Sequence, residues 1–229
     1  MKNIVLLLII LLAAPVYAGE VMRQITVVGH GQVKSVPDMA TVAMGVISHA
    51  KTAAGVVQEN AQSLSRVLGG LTAAGIAKRD IQTSSLTLSP RWNNRSSVSK
   101  NPPEITGFVA TNTVTVRILD LGQLGVVLDG ALQSGANNVQ DLQFGMQNPE
   151  PLLNAARQDA VKDAISKAEL YANAAGVKLG KVQLITEAPQ GGRSPVMLAP
   201  RAMHDGAVPI ARGEVEMASS VTVVFAIAE

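Results

Sequence analysis

Histidine is the first residue type to consider for chemistry, because imidazole is the usual general base and metal ligand near neutral pH. The chain has three histidines, His30, His49 and His204, and Asp205 directly follows the last of them. None of the three shows a metal-ligand spacing. His204 and Asp205 could form half of a site, but adjacent polar residues in a loop rich in Gly and Pro are more often simply solvated. The histidines therefore predict neither a catalytic nor a metal site.

Paired carboxylates are a second source of acid and base chemistry. Asp159 and Asp163 are four residues apart and would share one helix face, but Lys162 and Lys167 beside them favour an ordinary solvated surface. The Gly29–Gly31 stretch lacks the third glycine of a dinucleotide-binding loop, and no Gly-x-Ser-x-Gly nucleophile motif occurs. The sequence therefore predicts no catalytic residue and no cofactor-binding residue.

Composition excludes further classes of site. The 229 residues include no cysteine, which excludes a disulfide, a thiolate nucleophile, a zinc-thiolate site, an iron–sulfur cluster and a lipoprotein anchor. The 19 Lys and Arg nearly balance the 17 Asp and Glu, so the net charge gives no reason to expect a nucleic-acid partner. We expect no cofactor, no metal and no nucleic acid.

The best candidate for ligand binding is a set of basic and aromatic residues in two predicted connections between secondary-structure elements, residues 91–104 and 188–213. The first connection holds Arg91, Trp92 and Arg95, and the second holds Arg193 and Arg201. An indole ring with nearby guanidinium groups can stack on and pair with an anionic polymer of the envelope. The plainer interpretation is that one Trp among scattered cations belongs to a loop surface or a subunit contact. We treat these five residues as a candidate anion or partner surface.

The elements that must position these residues begin after an export signal. Within residues 1–18, Lys2 precedes an apolar run that ends at Ala14, and a small-residue cleavage site ends at Ala18. The apolar run is well short of the roughly 20 residues that a membrane-spanning helix needs. We therefore predict cleavage after Ala18, export, and a single domain over residues 19–229.

The rest of the chain alternates between strand and helix patterns. Period-two alternation predicts strands at 25–28, 32–36, 39–48, 80–89, 106–118, 138–146, 176–186 and 215–228, with a bend or bulge at Gly29–Gly31. Helical spacing predicts helices at 52–74, from Asp120 as N-cap to Gly135, and at 151–175. This order predicts an α+β fold with largely antiparallel sheet and about three helices.

The first and the longest predicted helices carry apolar stripes of different composition. The first carries an apolar stripe of Val57, Ala61, Leu64, Leu68 and Leu71. The longest carries a stripe of Leu153, Ala156, Ala160, Ala164, Ala168, Tyr171 and Ala175. Because alanine side chains are short, this stripe lets the helix lie close against a sheet or another helix. On its flank, Asp163 and Lys167 make a favourable four-residue pair.

A weak internal repeat divides the first two thirds of the chain. Each half has the same predicted order of strand, helix, Gly and strand. The closing strands match in spacing, with Ile81, Leu86 and Leu88 corresponding to Val139, Phe144 and Met146. The match favours two related α/β units that share one sheet system.

The connection 188–213 is unusually long and rich in Pro and Gly, and such connections are usually either functional or disordered. It carries apolar side chains that a purely solvated linker would not be expected to hold: Val196, Met197, Leu198, Val208 and Ile210. We predict that they contact a neighbouring subunit in a homo-oligomer. The alternative is that the segment packs on its own sheet and covers an edge strand.

Five motifs occur in a fixed order along the chain. They are Ile25-Thr-Val-Val-Gly-His-Gly, Pro37-Asp-Met-Ala, Gly75-Ile76 leading to Asp80-Ile-Gln-Thr, Gly135-Ala-Asn-Asn, and Ala155-Ala-Arg-x-x-Ala-Val-x-Asp-Ala. Together they resemble the SIMPL domain family, also called DUF541, over essentially the whole predicted mature chain. The resemblance implies a periplasmic or outer-membrane-associated protein, ring-forming or channel-like oligomers in some members, and a link to defence against oxidative stress in one. It implies no catalytic residue.

Two hypotheses from different classes follow. The first is a non-enzymatic envelope protein that acts through oligomeric assembly or through an envelope or membrane-associated partner, with a protective role under oxidative stress. The second is an oxidant-removing enzyme, although a chain without cysteine cannot be a thiol peroxidase and shows no recognisable haem or metal site. A binder of an anionic envelope ligand is a further alternative. Any direct antioxidant action is expected to be stoichiometric and to run through Met197 and Met203.

Overall fold

The structure is a computed structural model that describes residues 23–93, 103–188 and 211–228. The strands are β1 (Gln24–Ser35), β2 (Met39–Ala50), β3 (Ile81–Trp92), β4 (Ile105–Ile118), β5 (Asn138–Gly145), β6 (Lys178–Glu187) and β7 (Val215–Ala228). The helices are α1 (Ala53–Ala73), α2 (Leu124–Gln133) and α3 (Glu150–Ala174). None of the helices in this described part is both long and apolar enough to cross a membrane.

The strands form two antiparallel sheets, which confirms the predicted α+β class. One sheet has the strand order β1-β7-β6 and the other has the order β3-β4-β2-β5. Helix α3 packs on the three-stranded sheet, mainly against β1 and β7, and α1 covers one face of β2 and β4. Each sheet therefore has its own apolar core beneath its own helix or helices.

The four-stranded sheet contains both halves of the predicted repeat. The units are β2-α1-β3 and β4-α2-β5, and their first strands pair with each other at the centre. The second strand of each unit pairs with the first strand of the other, β3 with β4 and β5 with β2. The matched positions differ in environment, since Phe144 is buried whereas Leu86 is 64% exposed. Topology thus repeats while side-chain environments do not.

Helix α1 buries the predicted Leu64 and Leu71 and packs Leu68 against the core, but its N-terminal half buries a neighbouring face. Thr52 caps it, because its hydroxyl accepts a hydrogen bond from the backbone N–H of Gly55 at 3.1 Å. The buried residues are Val56, Asn60, Leu64, Val67 and Leu71, and the predicted Val57 and Ala61 are exposed. A polar residue fits this stripe because the Asn60 side-chain amide donates to the carbonyls of Val46 at 2.9 Å and Ala110 at 3.1 Å.

Two predicted boundaries were also wrong. Asp120 is not the N-cap of α2, which begins at Leu124; its carboxylate instead accepts from the N–H of Gly122 at 2.8 Å in a turn before the helix. Strand β3 does not end at Pro90 but continues to Trp92. Proline is compatible with this position because β3 is an outer strand, where a missing N–H can face solvent.

Candidate functional site: the edges of the sheets

Strand β1 is continuous, so the predicted bend at Gly29–Gly31 is wrong. Its register with β7 runs without a break from Gln24 to Ser35. A Cβ added at Gly29 would overlap the carbonyl oxygen of Ala160, and one at Gly31 would overlap that of Ala156. The glycines therefore allow the backbone of α3 to lie against β1. The predicted close approach of the alanine stripe is confirmed, although Tyr171 is exposed and Ala172 lies in the stripe instead.

Asp163 and Lys167 of α3 reach the outer edge of β1. The predicted ion pair is confirmed, with 2.6 Å between Lys167 Nζ and Asp163 Oδ2. Asp163 Oδ2 also accepts from the backbone N–H of His30 at 2.8 Å, and Lys167 Nζ also donates to the carbonyl of Val28 at 3.0 Å. The carbonyl of Arg23 accepts from β7, so residues 28 and 30 direct their backbone groups away from β7. The ion pair thus caps two backbone groups of an outer strand.

The same contacts set the charge state of Asp163. The hydrogen bond from Lys167, followed by the one from the His30 backbone N–H, lowers the pKa of Asp163 below its ordinary value of 3.8. Both donors favour the ionised carboxylate. The cap is therefore held in its charged form above acidic pH.

The remaining outer strands are interrupted by other means. The register of β6 breaks twice between Leu179 and Leu184, and that of β3 breaks between Thr83 and Ser85. Strand β3 also contains Pro90, and Asp141 in β5 has a positive φ of 48°. Bulges, proline and charged residues on an outer strand oppose regular pairing with another strand. Each outer edge of the two sheets is therefore capped or irregular.

Two outer strands extend beyond the helix that covers their sheet. On β3, Leu86 is 64% exposed and Leu88 is 45% exposed; they pair with Asn112 and Ala110 and so lie on the α1 side of the sheet. On β6, Val182 and Ile185 lie on the α3 side of their sheet and are about half exposed. Apolar side chains along both strands are therefore exposed in the part of the chain that the structure describes.

The structure describes part of the predicted basic and aromatic surface. Arg91 and Trp92 lie together at the end of β3, and both are exposed. Arg95, Arg193 and Arg201 lie outside the described residues. So do all of the predicted oligomer contacts, Val196, Met197, Leu198, Val208 and Ile210.

The groups considered for chemistry are separated. His30 lies on β1 and His49 at the end of β2, while His204 lies outside the described residues. Across residues 23–93, 103–188 and 211–228, no group of three His, Asp or Glu side chains could hold a metal ion. Asp159 pairs with Lys162 at 3.0 Å on the exposed flank of α3, as expected for a solvated face.

Arg157 forms a polar network that the sequence analysis missed. Its guanidinium contacts Glu150 of α3 and Glu187 at the end of β6, each at 3.0 Å, and the Ser219 hydroxyl donates to Glu187 at 3.3 Å. The hydrogen bonds to Glu187 and then to Glu150 raise the pKa of Arg157. The network fixes the end of β6, where the long connection begins. The seven-residue spacing of Glu150 and Arg157 on one helix face was its available signal.

Comparisons with known proteins found one family and several similar sequences. A family model described as SIMPL, a protein of unknown function (DUF541), matches residues 25–225. The chain is 36% identical over 215 residues to the 26 kDa periplasmic immunogenic protein of Brucella melitensis biotype 1, covering 89% of this chain and 84% of that protein. It is 35% identical over 173 residues to the uncharacterized protein YggE of Edwardsiella ictaluri, covering 75% and 71% of the two chains. It is 32% identical over 154 residues to YggE of Escherichia coli K12, covering 67% and 61%.

Proposed function

Because the chain belongs to the SIMPL (DUF541) family, we propose that it is a non-enzymatic periplasmic protein that acts by assembling with copies of itself. A periplasmic location is supported by the name of the Brucella relative and by the export signal predicted in residues 1–18. The relatives are named as immunogenic or uncharacterized proteins, not as enzymes. Outer-membrane association and protection under oxidative stress belong to the same proposal and rest on the family resemblance.

The observation that carries the assembly proposal is the uncovered apolar surface of β3 and β6. Leu86 and Leu88 project from β3, and Val182, Leu184 and Ile185 project from β6, with exposed fractions between 45% and 64%. Val182 and Ile185 share one face of β6, whereas Leu184 pairs with Val224 on the other face. Exposed apolar side chains grouped on one face of a strand are typical of interaction sites. Burying apolar surface in an interface contributes a favourable free energy of about 25 cal/mol for each Å² removed from water. A second subunit is the partner we propose for it.

The connection 188–213 is the second proposed contact. Its start is held by the Arg157 network at Glu187, and its end is held by Arg212, whose guanidinium donates to the carbonyl of Leu121 at 3.0 Å. The segment between these two anchors carries Val196, Met197 and Leu198. We propose that these side chains contact a neighbouring subunit.

Paired substitutions test the role of the outer strand. We expect Leu86→Ser with Leu88→Ser to lower the molar mass of the assembly measured by light scattering, because it removes apolar surface from the interface. The matched control is Leu170→Ser with Leu132→Ser, since these leucines are 65% and 48% exposed but lie on helices. If the Leu86/Leu88 double variant and the control both keep the molar mass of the parent protein, β3 is not part of the interface.

The enzymatic alternative has its own test. The purified protein is incubated with many equivalents of peroxide, and peroxide consumption is followed over time. We expect consumption to stop after the accessible methionines are oxidised. Sustained turnover would instead support an oxidant-removing enzyme.

Binding of an anionic envelope ligand is the second candidate function, and it is favoured by the adjacent exposed positions of Arg91 and Trp92 on β3. A guanidinium can pair with an anionic group of a polymer, and an exposed indole ring offers a stacking surface. If this candidate holds, Arg91→Ala should weaken retention on an anionic polysaccharide column, and Arg79→Ala, another exposed arginine, should not. Equal retention of the two variants would remove this candidate.

A further inference from the structure

Exposed leucines line the outer part of the four-stranded sheet beside α1. The helix packs on β2 and β4, and on the neighbouring β3 Leu86 pairs with Asn112 and Leu88 with Ala110. The Ala110 carbonyl accepts from the Asn60 side chain of α1, so all four of these strand positions lie on the helix side of the sheet. Both leucines are nevertheless 45% or more exposed.

The flank of α1 that faces these leucines is also exposed. An added Cβ at Gly70 would overlap the side chain of Ser134 at the end of α2, so Gly70 marks the flank next to α2. Helix α2 leads to β5, at the opposite edge of the sheet from β3. The helical period places Val57 and Ala61 on the other flank, and both are exposed. These two residues and the two leucines of β3 form the walls of what we call the α1–β3 groove.

The floor of the α1–β3 groove carries a hydrogen-bond acceptor without a partner. Asn112 of β4 is partly exposed, yet its Oδ1 is buried and accepts no hydrogen bond from a described residue. Rotation about χ2 of an asparagine costs little, because this torsion has broad preferences. The oxygen therefore loses no hydrogen bond on turning toward the groove. Apolar walls above an amide oxygen suit an apolar group that carries an N–H or O–H donor.

Trp92 is a group of this kind, and it lies on the same face of β3. It is the only tryptophan of the chain and is 54% exposed. Strand β3 is regular from Ser85 to Trp92, because the register shift beside Trp92 falls at Thr106 of β4. Alternation therefore places Trp92 on the same face as Leu86 and Leu88. Its indole N–H is a hydrogen-bond donor and not an acceptor.

We propose that the indole ring of Trp92 inserts into the α1–β3 groove of a second copy of this chain and donates its N–H to Asn112 of that copy. The inference rests on the proposed self-assembly and names one of its contacts. The contact can be reciprocal, because Trp92 and Leu86 lie about 20 Å apart along one strand, with Ser89 midway. A two-fold axis near Ser89 would bring each Trp92 to the groove of the other copy.

The occupant is assigned to a second copy because Trp92 is exposed in its own chain. It lies beyond Leu88 on the strand that forms one wall of the groove, so its side chain stands beside the groove and does not fill it. Direct pairing of two β3 strands is disfavoured, since Pro90 has no N–H to donate. A contact through side chains is compatible with this proline. An aromatic ring seated in an apolar recess is typical of the centre of a protein interface.

The single tryptophan makes the contact directly measurable, because its fluorescence moves to shorter wavelength and is quenched less by acrylamide when the ring leaves water. In protein from residue 19 onward, we expect Trp92 to be quenched several-fold less in the assembled parent than in the Val57→Glu variant, which places a charge in the groove. Val57→Glu should also lower the molar mass. The matched control is Val126→Glu, at an exposed valine of α2, and it should change neither quantity.

Subunit mixing tests whether the groove belongs to a second copy. The Val57→Glu protein keeps Trp92 but has a blocked groove, whereas the Trp92→Phe protein has an intact groove and no tryptophan. We expect the emission of the Val57→Glu protein to return to shorter wavelength when an excess of the Trp92→Phe protein is added. The control is an excess of the double variant Trp92→Phe with Val57→Glu, which should cause no shift. A Trp92 that is shielded in the parent but is not restored by mixing would overturn the proposal.

The outcomes separate this inference from the proposed function. A monomeric parent protein would end both. An assembled parent whose Trp92 is quenched as strongly as that of Val57→Glu would overturn the groove contact and leave self-assembly standing. If Val57→Glu fails to fold, Ala61→Glu replaces it in both experiments, since Ala61 is exposed on the same flank of α1.

Discussion

The carboxylate of Asp163 on α3 accepts a hydrogen bond at 2.8 Å from the backbone N–H of His30 on β1, across 133 positions of sequence. Together with the contact from Lys167 to the Val28 carbonyl at 3.0 Å, it occupies the middle of an outer strand edge. The helix that covers the sheet thus also blocks one edge from pairing with another chain. Under the proposed self-assembly, a contact through the three-stranded sheet would use its other outer strand, β6.

The cap of β1 gives a pH-dependent contribution to stability. Because its pKa is lowered in the folded state, ionised Asp163 stabilises the fold above its ordinary pKa, and this contribution is lost as the pH falls through the lower folded-state pKa. We expect Asp163→Asn to reduce the free energy of unfolding above about pH 5, with the difference from the parent shrinking in stronger acid. Urea unfolding at several pH values measures it.

The matched control for this prediction is Asp159→Asn. Asp159 also pairs with a lysine of α3, Lys162, but that pair makes no hydrogen bond to a strand among the described residues. An exposed pair of this kind contributes about 0–1 kcal/mol. A difference from the parent that stays constant from neutral pH to acid for Asp163→Asn would contradict the cap.

The contact between β1 and α3 should tolerate no side chain at Gly31. An added Cβ would overlap the Ala156 carbonyl, which belongs to the helix backbone, so α3 would have to move away from the sheet. We expect Gly31→Ala to cost about 3 kcal/mol or more in unfolding free energy. Gly69→Ala, on the exposed face of α1 with nothing within 4 Å of the new Cβ, should instead stabilise by about 0.5–1 kcal/mol. Equal changes in unfolding free energy for Gly31→Ala and Gly69→Ala would show that the close contact between β1 and α3 is absent.

Asn60 should be the most sensitive polar residue of the four-stranded layer. Asn60→Ala removes the donor to the Val46 and Ala110 carbonyls and should cost about 1–3 kcal/mol in unfolding free energy. Asn60→Asp should cost more near neutral pH, because a buried carboxylate cannot donate to a carbonyl. Gln58→Ala, on the exposed face of α1, should be nearly neutral. The opposite order of the two Asn60 variants in urea unfolding would refute the assigned hydrogen bonds.

Methionine oxidation should follow exposure. Met44 is fully buried in the core beneath α1, and Met217 on β7 is half-buried. Met197 and Met203 lie in the long connection and are predicted from the sequence to be accessible. Peptide mapping after mild peroxide should find these two oxidised ahead of Met44 and Met217. Equal or reversed rates would end the idea that they consume oxidant first.

The structural features that could be predicted from the sequence are those that depend on local periodicity. Alternation located β4 and β7, and helical spacing located α3 with its alanine stripe and the ion pair of Asp163 and Lys167. The repeat of strand, helix, Gly and strand predicted that two units share one sheet. These features are set by residues near one another in the chain, so their pattern is visible in the sequence.

The features that were missed depend on distant contacts. Gly29 and Gly31 are compatible both with a bend and with close packing, and only the position of α3 decides between them. The buried place of Asn60 depends on carbonyls of β2 and β4. A single sequence carries no local signal for these relationships between elements.

Self-assembly is tested most directly by the molar mass of the protein purified from residue 19 onward, measured by light scattering over a wide range of concentrations. The account predicts a discrete multiple of the monomer mass that persists on dilution, because apolar surface on β3 and β6 would be buried between subunits. A mass equal to that of one chain at every concentration would contradict it.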